Sequence, residues 1–166
     1  MGTEKNVRRE SELYEPMRLW LDTYLKDKYK NSTVITVDSH NERLDRILNK
    51  HGIIYNVATG INIQIDVLGI VIKSNTVKLF FIEAKKTNLT LHDLGQLWAY
   101  CKLIAPEEAF LMSPLGLGSL ERILTTFGRE DLLDFGDKKK IKKMKVAVWN
   151  LSTNSPEYST MIPKLD

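Results

Sequence analysis

Cysteine is all but missing from this chain: Cys101 is the only one in 166 residues. A lone thiol excludes an intramolecular disulfide, a thiolate zinc site and a cysteine-ligated iron–sulfur cluster. Histidine is scarce as well, and His40, His51 and His92 show no metal-ligand spacing. Long apolar runs are absent. The longest, Val67 to Ile72 interrupted by Gly69, is far too short to cross a membrane, and the charged N-terminus has no signal-peptide core. A soluble, cytoplasmic protein with no membrane partner is therefore expected. A strong charge of one sign is lacking too, since the net charge of +3 is too mild by itself to argue for nucleic acid. No repeat or low-complexity linker divides the chain. With 43% hydrophobic residues it can bury one core, so residues 1–166 are expected to form a single domain.

What is present is a succession of short apolar strands and amphipathic helices. Residues 10–29 carry Leu13, Met17, Trp20, Leu21, Tyr24 and Leu25 at helical spacing. Strands are expected at 53–58, 61–73 and 77–85, forming a meander, with later strands at 109–112 and 146–151. A helix over 89–105 ends before Pro106, another covers 120–135, and 41–50 reads as an inserted helix with Arg43, Arg46 and Lys50 on one side. The expected fold class is α/β, a mixed sheet of about five strands flanked by helices.

Chemistry concentrates on the second and third strands. Residues 61–68 alternate apolar and polar, and Asp66 falls on the polar face with Asn62 and Gln64. In the next strand Glu83 and Lys85 share a face while Ile82 and Ala84 point the other way. If Ser74-Asn75 is a two-residue hairpin loop, position 66 lies opposite position 83 and two carboxylates face each other. A three-residue loop would turn Asp66 away, and a bulge at Gly69 would restore it. Opposed like charges need a compensating cation, and a divalent metal held there suits phosphodiester hydrolysis. The plain alternative is a surface hairpin carrying an ordinary Glu-Lys pair. On the helix that follows, His92, Gln96 and Tyr100 recur at spacings of four, and their amide and phenol suit phosphate or water-bridged metal contacts.

Taken in order, Asp66, the strand end Glu83-Ala84-Lys85 and the helical Gln96-Leu97-Trp98-Ala99-Tyr100 resemble the PD-(D/E)XK nuclease superfamily. The Gln-x-x-x-Tyr element is similar to that of its RecB-type branch. Ile65 departs from the pattern, standing where the motif's name has proline. The resemblance implies a restriction-endonuclease-like core in αβββαβ order with an extra helix and strand. It implies a Mg²⁺- or Mn²⁺-dependent deoxyribonuclease, preferably an endonuclease, acting on DNA as a homodimer. Asp66, Glu83 and the Ala84 carbonyl would hold the metal, and Lys85 would position the nucleophile or stabilise the transition state. Gln96 and Tyr100 would orient Lys85, a water or the DNA backbone. The family also places a glutamate on its first helix. Glu10 is preferred for that role over Glu12 and Glu15, because it lies in line with Leu13 and Met17. The other reading of all three is that they favour the positive end of the helix dipole.

Lys85 and Lys86, with Lys138, Lys139, Lys140, Lys142 and Lys143, are the expected nucleic-acid contacts. Residues 138–145 hold six lysines in eight positions. Such a run grips a phosphate backbone or guards a strand from aggregation as a solvated turn. Two further readings stay open beside the enzyme: a catalytically inactive nucleic-acid-binding module, and an interaction subunit on the same fold.

Overall fold

The stripe Leu13, Met17, Leu21, Leu25 recurs every four residues and is fully buried. In the computed structural model, which describes residues 7–137 and 139–165, it belongs to a 3₁₀ turn (Glu10–Leu13) that runs into helix α1 (Tyr14–Lys28). The stripe packs on one face of a six-stranded mixed sheet, against Val67, Val71, Phe80, Ile82 and Phe110. The protein is thus of the α/β class.

The strands are β1 (Thr33–Asp38), β2 (Val67–Lys73), β3 (Thr76–Ala84), β4 (Glu108–Ser113), β5 (Lys145–Asn150) and the two-residue β6 (Ser155–Pro156), and they lie side by side in chain order. The pairs β1–β2 and β2–β3 are antiparallel, β3–β4 and β4–β5 parallel, and β5–β6 antiparallel. Helices α2 (Leu44–Lys50), α3 (Leu91–Ile104) and α4 (Ser119–Glu121) pack on the face opposite α1, where Leu68, Ile70, Phe81, Leu111 and Val146 project. β4 is buried on both faces, as a strand with helices above and below must be.

Three expectations are corrected. The first meander strand is 33–38 and not 53–58. The β-branched run Thr33-Val34-Ile35-Thr36-Val37 pairs residue for residue with β2, whereas 53–61 closes local turns, Ala58 N–H to Tyr55 O at 3.0 Å and Ile61 N–H to Ala58 O at 3.1 Å. Of the expected strand 61–73, only 67–73 joins a ladder. Ile63 and Ile65 are buried in alternation as expected, but their carbonyls accept from Leu44 N–H and the Ser39 hydroxyl instead of a neighbouring strand. The helix expected over 120–135 is broken. α4 continues as a π turn (Arg122–Thr126), and Gly128, at φ +65, ends it before a separate 3₁₀ turn (Glu130–Leu133).

The β2–β3 hairpin turns on two residues, Ser74 and Asn75, with Lys73 paired to Thr76 and Val67 to Ile82. No bulge interrupts it. Gly69 serves another purpose: a Cβ there would come within 2.8 Å of Leu25 Cδ1, so its absence lets α1 lie close on the sheet. α3 begins at Leu91, two residues after the expected start at 89, because Thr90 accepts from Asp93 N–H while Asp93 reaches back to Thr90 N–H, a reciprocal cap. Among the described residues no helix is long and apolar enough to cross a membrane.

Candidate functional site

Continuing the hairpin register one step past Val67 and Ile82 sets Asp66 opposite Glu83. The two are joined at the backbone as well: Ala84 N–H donates to Asp66 Oδ2 at 2.9 Å, and Asp66 N–H to Glu83 Oε1 at 3.4 Å. Ser39 holds the Asp66 turn from behind, its N–H donating to Asp66 O at 3.0 Å and its hydroxyl to Ile65 O. Glu83 is only 6% exposed. Burial, then the charge of Asp66, push its carboxyl well above the ordinary range, and the Lys85 ammonium offsets this in part. Burial also raises Asp66, against the lowering pull of the Ala84 and Glu83 hydrogen bonds and of Lys85. Two adjacent carboxyls that each resist ionisation act as one proton-sharing unit until a cation displaces the proton.

Lys85 is half-buried beside this pair but forms no ion pair with either member among the described residues. Its N–H donates to Met112 O at 2.9 Å, so β4 fixes the direction in which β3 leaves the sheet. Ala84, fully buried, closes β3 between the two functional side chains. Of the three N-terminal glutamates, Glu10 is the one at this end of the sheet, accepting from Lys86 N–H at 3.3 Å. Glu12 accepts from Arg8 N–H, and Glu15 is occupied by Arg18 at 2.6 Å.

Three residues not singled out from the sequence join the cluster. Tyr14, at the start of α1, is buried, and desolvation followed by the charges of Asp66, Glu10, Glu83 and Asp38 drives its phenol far above its usual range. It stays a neutral donor at any physiological pH. His40 lies against the Tyr14 ring, centroids 4.6 Å apart, and its Nδ1 is 2.5 Å from Asp38 Oδ1. The available signal was Asp38-Ser39-His40 directly after a β-branched run, the place where a strand delivers side chains to its end.

Gln96 and Tyr100 sit on α3, the helix that covers the face Glu83 projects from; the buried Cys101 on that helix has its thiol pushed up by burial and by the charge of Glu83. Gln96 is exposed and Tyr100 packs half-buried on the core, and among the described residues neither hydrogen-bonds Asp66, Glu83 or Lys85. The lysine run is not brought to the carboxylates. It enters the sheet where the parallel strands begin, while the pair stands where β3 ends. Lys140 and Lys142 reach Glu107 at 3.8 and 3.3 Å, and Lys143 reaches Asp134 at 2.8 Å. The Lys139 N–H donates to Asp137, and Lys138 lies outside the described residues. Lys86 is exposed beside the site, its ammonium donating to Arg8 O at 3.4 Å.

The donor set fits one kind of cation better than another. Mg²⁺ needs only one or two carboxylates, keeping water and substrate phosphate on its other positions, and Asp66 with Glu83 supplies that number. A cage of three or more His, Cys, Asp or Glu side chains does not occur among the described residues, which argues against a closed zinc or calcium site. Comparison with family models, with curated proteins and with solved structures returned no match.

Proposed function

We propose that this chain is a metal-dependent deoxyribonuclease of the PD-(D/E)XK, restriction-endonuclease-like kind, cutting internal phosphodiester bonds of DNA. The observation that carries the reading is the pair of half-buried Asp66 and buried Glu83, opposed across a hairpin with Lys85 beside it and, among the described residues, no ion pair to either carboxylate. The succession α1, β1, β2, β3, α3, β4 supports it, being the order that such a core requires.

In this reading Asp66, Glu83 and the Ala84 carbonyl hold Mg²⁺ or Mn²⁺. The chemistry supplied by such an ion is activation of a water for in-line attack and neutralisation of charge developing on the phosphate. Lys85 orients the attacking water or donates to a phosphate oxygen in the transition state. Glu10 closes the acidic side of the site, and Tyr14 presents a permanently protonated hydroxyl to it. Gln96, Tyr100 and Lys86 contact the DNA backbone. A homodimer would give each strand of a duplex its own site.

A second reading, a nucleic-acid-binding module without catalysis, draws on the lack of a three-ligand cluster among the described residues. One experiment separates the two. Linear, supercoiled, single-stranded and four-way-junction DNA are incubated with Mg²⁺, Mn²⁺ or EDTA and the wild-type chain, Glu83→Ala or Lys85→Ala. Metal-dependent cutting by the wild type alone is the expected result. Binding without cutting under every condition would hand the protein to the second reading, and neither binding nor cutting would make it an interaction subunit.

A further inference from the structure

One cavity lies far from the carboxylates. It has a volume of about 440 Å³ and opens beside the β2–β3 hairpin, at Lys73, seven residues beyond Asp66 along the chain. At the rise of an antiparallel strand that is roughly 23 Å from the pair. Its walls carry Lys28, Lys30, Lys73 and Lys78 together with the hydroxyls of Ser32 and Thr76, and among the described residues no carboxylate lines it. Lys28 and Lys78 already lean on acids outside the cavity, Glu108 at 3.3 Å and Glu107 at 3.9 Å. Those contacts hold the two stems in place. Lys30 and Lys73 have no acidic partner among the described residues, and both are exposed.

Of the four ammonium groups around the recess, those of Lys30 and Lys73 are left without an acid among the described residues, an arrangement that an anion relieves. Linked phosphates can place one anionic group at each of these two ammoniums, which a single small anion cannot do, and a recess of about 440 Å³ has room for them. Hydroxyls between the lysines supply neutral donors to phosphate oxygens, the mixture that phosphate sites use. We infer that this cavity, walled by Lys28, Lys30, Lys73 and Lys78, is a binding site for a run of linked phosphate groups, separate from the Asp66–Glu83 centre. Its chemistry does not depend on whether that centre cuts DNA. The phosphates come either from a free oligophosphate or nucleotide, or from the backbone of a nucleic-acid strand.

The test is titration calorimetry of the full chain with tripolyphosphate in EDTA, with sulfate as the single-anion control. Saturable one-to-one binding of tripolyphosphate is expected, with sulfate weaker. Lys30→Gln and Lys73→Gln should each lower the affinity about tenfold, the loss of one charge-assisted hydrogen bond, while Glu83→Ala leaves it unchanged. Both lysines are exposed, so the variants fold, which their thermal midpoints verify. A short single-stranded oligonucleotide added as competitor identifies the source. If it displaces tripolyphosphate and loses affinity in the double variant Lys30→Gln with Lys73→Gln, the strand backbone is the ligand; if it does not compete, a free oligophosphate is. Absence of saturable binding, or equal binding by wild type and double variant, overturns the site.

Discussion

Glu83 and Glu108 are equally buried, each 6% exposed, on adjacent strands of one sheet, yet the chain treats them in opposite ways. Glu108 projects toward α1 and is surrounded by donors: Tyr24 at 2.9 and 3.0 Å, Lys28 at 3.3 Å and Lys145 at 3.3 Å. Its neighbour Glu107 collects Lys78, Lys140 and Lys142, and although burial opposes ionisation their charge holds its carboxyl below the ordinary range. Glu83 projects to the other face and meets a second carboxylate. A sequence with 24 Lys and Arg had cations to spare for it. Buried acids that serve the fold are paired from within, because an unpaired buried charge is costly. One beside a like charge has the chemistry to suit a cation from outside, and that contrast supports the proposed nuclease.

The largest effect expected from breaking the contrast is on catalysis. Glu83→Gln keeps the shape and removes one metal ligand, so metal-dependent cleavage should fall at least a thousandfold, a loss of roughly 4 kcal/mol in transition-state stabilisation. Cleavage within tenfold of wild type would remove Glu83 from the site. The same substitution made at the two glutamates should then change stability with opposite signs. Glu108→Gln strips the anion from three donors and should destabilise by roughly 1–3 kcal/mol. Glu83→Gln relieves a repulsion and should leave the metal-free protein as stable as wild type or more so. Urea unfolding of both variants in EDTA reads this directly; a loss at both positions would mean that Glu83 is as structural as Glu108.

Much of the carboxylate centre was legible because hairpins obey arithmetic. Ser74-Asn75 as a two-residue loop sets 66 against 83, and the observed ladder keeps that register. Alternation of apolar residues, by contrast, reports burial and not pairing. Residues 61–65 alternate as a strand does while their hydrogen bonds go to loops, and so the strand at 33–38 went unread in favour of 53–58. Tyr14, Asp38 and His40 escaped for a different reason: they meet only once α1, β1 and the hairpin are packed, and the chain itself records only the place of Asp38-Ser39-His40 after a β-branched run. The lysine run was visible as composition, but only the order of the parallel strands shows that it belongs with Glu107 and Glu108.

A smaller effect sharpens the comparison through pH. The folded-state pKa values of Asp66 and Glu83 lie above those of the unfolded chain, so between the two the folded protein holds more protons, and its stability falls as pH rises through that window. Glu107 works the other way: its stabilisation is present above the unfolded pKa and is lost as pH falls through its lowered folded value. Protons and Mg²⁺ compete for the pair. Thermal midpoints with Mg²⁺ minus those with EDTA should therefore grow as pH rises through and above the ordinary carboxylate range. At tenfold excess over Kd the gain corresponds to roughly 1.4 kcal/mol. In Glu83→Gln the increment and its pH dependence should both collapse; a wild-type increment that is flat with pH would show the ion binding elsewhere.

The smallest effect concerns the cations at the other end. Lys140 approaches Glu107 at 3.8 Å with its side chain mostly in solvent, and Glu107 keeps Lys78 and Lys142 without it. Exposed pairs of this kind contribute about 0–1 kcal/mol. Lys140→Gln should accordingly shift the unfolding midpoint little and leave cleavage unchanged, whereas Lys85→Gln, a substitution of the same charge, should abolish cleavage with equally little cost in stability. The two variants each remove one lysine charge, at opposite ends of the parallel strands. If Lys140→Gln instead reduced cleavage as strongly as Lys85→Gln, DNA bound for cutting would have to span both ends of the sheet, and the division of labour between an acid pair left open and an acid pair closed by lysines would not hold.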